Sequence, residues 1–120
     1  MKLAPVLILV ACATSANSAL AHAHLKAEAP PANGVLAASP PNLSLDFSEG
    51  LEIGLSGVIL KRQDGRVVPT GAAVLAPNDD KKITVPLNGA LSAGTYTVEW
   101  HALSRDDHAT HGSYAFTVLP

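Results

Sequence analysis

Sulfur is almost missing from this chain. Its one cysteine, Cys12, and its one methionine, Met1, both lie near the start. Past Cys12 there is no disulfide framework and no thiolate or thioether ligand. Aromatic residues make up only 4%, which excludes a stacking platform for bases. An excess of positive charge is missing too. Eight Lys+Arg stand against ten Asp+Glu, for a formal charge of −2, so there is no basic footprint for nucleic acid. No apolar run reaches the roughly 20 residues of a membrane-spanning helix, and no stretch repeats with a helical period. What remains is a 120-residue chain of one-domain length with a modest core. Any metal site in it must be built from nitrogen and oxygen.

The chain changes character at Ala19–His24. Before this point Lys2 gives a positive start, Leu3 to Ala11 is apolar, and Ala13 to Ala21 is small and polar, with Ala-x-Ala at its end. That is the three-part plan of a secretory signal. Residues 1–21 are therefore expected to be a cleaved leader and residues 22–120 the domain. An alternative is lipidation at Cys12, since Leu9-Val10-Ala11-Cys12 resembles a lipoprotein box. It would leave His22 inside the chain. Cleavage after Ala21 instead makes His22 the first residue, with a free amine beside an imidazole and a second imidazole at His24.

The rest reads as short strands. Leu25 to Ala29 is an edge strand, and Leu43-Ser44-Leu45-Asp46-Phe47-Ser48 alternates strictly, turning Leu43, Leu45 and Phe47 to a core. Gly57 to Lys61 returns through Asp64-Gly65 to Val67 and Val68, as a hairpin does. Ile83, Val85 and Leu87 carry another strand. Thr95 to Leu103 is the strongest, with Tyr96, Val98, Trp100 and Ala102 inward and Thr97, Glu99 and His101 outward. Ser104 to Gly112 reads as a polar loop, and Ser113 to Leu119 as the last strand. About seven such strands predict an all-β fold, an immunoglobulin-like antiparallel β-sandwich or Greek-key barrel.

Four of the five histidines fall in the terminus or in the loop after Leu103. Copper(II) suits nitrogen and oxygen donors in a square-planar or tetragonal set and heads the divalent affinity order. His22 offers its amine and ring; the amine, ordinarily near pKa 8, yields its proton to a metal near neutral pH. Asp106 and His108 are two residues apart, on one side of an extended segment. Together these give four ligands, provided that the terminus meets the loop. Plainer readings exist: a solvated Asp106-Asp107 turn, surface positions for His101 and His111, and strand-end punctuation for Glu49. A chelate confined to the terminus is a competitor, using the His22 amine, the Ala23 and His24 amides and the His24 ring. Ala23 permits it, since a proline there would lack the amide proton.

His22-Ala23-His24-Leu25, Leu45-Asp46-Phe47-Ser48-Glu49-Gly50, Gly94-Thr95-Tyr96-Thr97-Val98-Glu99-Trp100 and Ser104-x-Asp106-x-His108 resemble the CopC family of periplasmic copper-binding, copper-resistance proteins. The resemblance spans essentially all of residues 22–120. It implies a Greek-key β-sandwich, a periplasmic location and a role in copper homeostasis or resistance. It also implies copper(II) held by His22, Asp106 and His108, with Glu49 near the site; His24 is an additional candidate from the local terminal chelate, not from the resemblance. The methionine-rich copper(I) segment of some members has no counterpart here. The expectation is a monomeric, non-enzymatic copper(II) carrier or buffer. Its partners would be other copper-handling proteins, an inner-membrane importer among them, and not nucleic acid. The alternatives are a small copper-dependent oxidase with a histidine-brace-like site and a plain immunoglobulin-like interaction domain.

Overall fold

The computed structural model describes residues 3, 4 and 23–120. The expected leader, apart from Leu3 and Ala4, and His22 lie outside the described residues. Nine strands follow in order: β1 (Leu25–Ala29), β2 (Val35–Leu36), β3 (Asn42–Phe47), β4 (Gly57–Arg62), β5 (Val67–Val68), β6 (Val74–Ala76), β7 (Asp79–Pro86), β8 (Gly94–Leu103) and β9 (Ala109–Val118). They form two sheets, ordered β1-β3-β7-β6 and β2-β9-β8-β4-β5. The result is an all-β, two-sheet sandwich, as the alternating pattern predicts.

Alternation puts one apolar row of each strand between the sheets. Leu43, Leu45 and Phe47 of β3 and Ile83 and Val85 of β7 are buried on one side. Leu60 of β4, Tyr96, Val98 and Ala102 of β8, and Phe116 and Val118 of β9 meet them from the other. Each such Leu, Val or Phe side chain contributes about 1.5–3 kcal/mol by leaving water. The half-buried Trp100 sets its ring edge against Phe47 across the sandwich, centroids 5.2 Å apart at 74°. Tyr96 and Phe116 stack within their own sheet at 5.6 Å.

Three features depart from the expected plan. The strand count rises from about seven to nine because β2 and β6 are short edge pairings, which carry little periodic signal. One pair is not antiparallel: β2 runs parallel to β9, Val35 opposite Thr117 and Leu36 opposite Val118. The last strand begins at Ala109 rather than Ser113, because β8 and β9 stay in register up to Leu103–Ala109. That shortens the loop to Ser104–His108 and moves His111 into β9. A three-residue 3-10 turn, Ile53–Leu55, precedes β4.

Candidate metal centre

The turn joining β8 to β9 is built around Ser104. The inward row of β8 runs Tyr96, Val98, Trp100, Ala102, and its next member is Ser104, 1% exposed and the one buried polar residue among the described residues. Its hydroxyl donates to Asp106 Oδ1, and it also contacts the His108 carbonyl at 3.2 Å. It accepts from the His108 amide at 3.2 Å. The backbone closes the same turn: the Ser104 amide donates to the His108 carbonyl and the Asp107 amide to the Ser104 carbonyl, each at 3.0 Å. Asp107 takes φ 66°, a left-handed conformation that Asp tolerates better than most residues.

This geometry brings Asp106 and His108 together. Asp106 Oδ1 lies 3.2 Å from His108 Nδ1. Two donors bound to one ion, each about 2 Å from it, stand roughly 3 Å apart, so the pair has the spacing of two adjacent ligands. The Asp106 carboxyl is held below the usual carboxylate range, first by the Ser104 hydrogen bond and then by that from His108. It is therefore an anion through the neutral range.

Ala23 and His24 reach the same end of the sandwich. Ala23 is buried, and its carbonyl accepts from Thr110 Oγ1 at 2.8 Å, two residues past His108. His24 is tied to the end of β3: its amide donates to Ser48 Oγ at 2.8 Å, and its carbonyl accepts from the Ser48 amide at 2.9 Å. The Ala23 carbonyl is thus held beside the strand that leaves the loop. Among the described residues, no group of three or more histidine, cysteine, aspartate or glutamate side chains could hold a metal ion. Asp106 and His108 supply two side chains of the kind that bind metal, and His22, the third expected ligand residue, lies outside the described residues.

The strand end carrying Glu49 lies along the loop. The Gly50 carbonyl accepts from the Arg105 amide at 3.0 Å, and Leu51 bridges Ser104. Arg105 Nε sits 3.3 Å from Asp80 Oδ2 on β7. A Cβ on Gly50 would come within 2.7 Å of that carboxylate, so a larger residue there would push the Asp80 side chain aside. Ser104, Thr110 and Ser48 tie these segments together by hydrogen bonds, a part that the sequence motifs do not reveal. Ser104 had a signal: a polar residue at the next inward position of an apolar row. Thr110 and Ser48 had none. His101 and His111 stand apart from this end, directly opposed on β8 and β9.

Comparison with known proteins agrees with the architecture. A family model for the CopC domain matches residues 25–119. Protein YobA of Escherichia coli (strain K12) is 43% identical over 101 residues, spanning 84% of this chain and 82% of that protein. Copper resistance protein C of Escherichia coli is 38% identical over 109 residues, spanning 86% of each. The crystal structure of CopC from Methylosinus trichosporium OB3b superposes with a TM-score of 0.77 at 31% identity, covering 82% of this chain and 95% of that one.

Proposed function

The chain belongs to the CopC domain family, and on that premise we propose that it is a copper(II)-binding carrier or buffer of the periplasm, serving copper homeostasis and resistance. Residues 1–21 act as the secretory leader, and cleavage after Ala21 creates the site. Copper(II) is held by the amine and ring of His22, the Asp106 carboxylate and the His108 ring, with Glu49 beside them. The observation that carries this reading is the Thr110–Ala23 hydrogen bond, which fastens the terminal segment next to the Asp106–His108 pair.

The same anchoring argues against the chelate confined to the terminus. That chelate needs the His24 amide nitrogen as a ligand, and this amide already donates to Ser48. Using it for metal would cost that bond, whereas the loop donors are already positioned, which lowers the ordering cost of binding. A fourth protein donor at Asp106 also hinders the approach of dioxygen to the ion, which favours a protein that holds and releases copper over one that turns over substrate. Its partners are copper(II) and the copper-handling proteins that deliver or accept it, an inner-membrane importer among them.

Competitive copper(II) titration with electron paramagnetic resonance tests this. Protein beginning at His22 is compared with protein carrying one extra alanine before it. A large loss of affinity in the extended form is expected. Equal affinity would remove the free amine from the site and make processing irrelevant to function.

A further inference from the structure

Two histidines outside the proposed copper site stand opposite each other on the outer face of the five-stranded sheet. His101 of β8 and His111 of β9 are directly opposed in the antiparallel register, and both are exposed. Directly opposed residues share a face and have Cβ atoms about 4.5–5.5 Å apart. Two imidazole nitrogens on one ion stand roughly 3 Å apart, a span such a pair reaches by turning between staggered rotamers. We propose that His101 and His111 form a second metal site, an open one at the surface, for a borderline divalent ion such as zinc(II), copper(II) or nickel(II).

The surroundings suit that role. The pair lines a shallow groove of about 410 Å3 together with Ile59, Glu99 and Ser113, which leaves room for an ion and its waters. Glu99, the next outward residue of β8, is engaged by Lys61 at 3.0 Å, so the ion's protein ligands are the two imidazoles. Water fills the remaining positions, which makes the site weaker and faster to exchange than a four-ligand centre. On its other flank His101 faces Gly57 of β4. A Cβ there would lie 2.5 Å from His101 Cε1, so without metal the ring rests on bare backbone. The ring can leave that position without disturbing the core, and swinging across to His111 is the motion that metal binding requires. This site does not depend on the terminus or on the β8–β9 turn.

Imidazole 1H–15N correlation spectra of the processed protein, titrated with zinc(II) alone near neutral pH, provide the test. The His101 and His111 ring signals should shift together along one isotherm. His111→Gln should weaken the response of His101 by about tenfold or more, and His101→Gln that of His111, because chelation is lost. Rings that titrate independently, or a His101 response that survives His111→Gln, would overturn the proposal. Gly57→Ala removes the ring's alternative resting place and should tighten the site; weaker zinc binding in that variant would count against it. Both glutamine variants should keep the tight copper(II) equivalent, so failure here and failure of the copper reading are separately visible.

Discussion

Two turns of this protein share one backbone plan and do different things. In the β4–β5 turn the Arg62 amide donates to the Arg66 carbonyl and the Gly65 amide to the Arg62 carbonyl. In the β8–β9 turn Ser104, Asp107 and His108 repeat that pattern. The fourth residue has positive φ in both, 87° at Gly65 and 66° at Asp107. The third is an aspartate in both, and each faces the basic side chain two residues on: Asp64 with Arg66 at 3.6 Å, Asp106 with His108 at 3.2 Å. The first residue differs. Arg62 is exposed, whereas Ser104 is buried and ties Asp106 and His108 to itself. The β4–β5 turn projects into water, while the other is flanked by Gly50 and followed by the Thr110 anchor of Ala23. An Asp-x-basic turn is therefore only a solvated reversal until other segments converge on it.

Substitutions can break that contrast at graded strength. The largest effect is expected from His108→Ala, which removes a ligand. Copper(II) affinity should fall by more than about 100-fold, beyond the 10–100-fold typical of residues that merely support a ligand. His24→Ala should change it far less, and the reverse order in a competition titration would favour the terminal chelate.

Ser104→Ala should come next. It keeps both ligands but frees the Asp106 carboxylate and leaves the His108 amide without its hydroxyl partner. Affinity should drop about 10–100-fold, and denaturant melts should show a loss of about 1–3 kcal/mol for the unsatisfied group. An unchanged affinity would mean that the loop donors need no bracing.

A smaller effect concerns acid. Asp106 has its pKa lowered on folding, so its contribution to the metal-free fold is present above its unfolded value of about 3.9 and is lost as pH falls through the lower folded value. In Asp106→Asn the gap in Tm from the parent should be constant above about pH 5 and shrink below about pH 4. A pH-independent gap would remove the carboxylate's charge from the account.

The smallest effect should come from the other turn. Arg66→His gives the β4–β5 turn the same Asp-x-His spacing without any neighbouring terminus. It should add no tight copper(II) equivalent and move stability by no more than about 0.5 kcal/mol. A new tight equivalent would show that the spacing alone suffices.

Much of the fold could be read from period-two alternation. Leu43, Leu45 and Phe47 point inward as expected, and Tyr96, Val98 and Ala102 do the same on the facing sheet. The start of β9 was not legible, since Ala109, Thr110 and His111 carry no apolar alternation and join the sheet by backbone pairing alone. Pattern alone therefore places His111 in the loop, and only the strand register sets it opposite His101. Parallel pairing of β2 with β9 was hidden for the same reason: two residues are too few to show a period.

The sequence by itself determined the all-β class, the nitrogen-and-oxygen chemistry open to a metal, and the local Asp106–His108 spacing, because alternation, composition and short spacing are properties of neighbours along the chain. Only the tertiary structure decided that Ala23 meets Thr110, that Ser48 holds the His24 amide, and that His101 stands opposite His111. Those contacts join residues far apart in the chain, and strand register together with the packing of one sheet on the other brings them together.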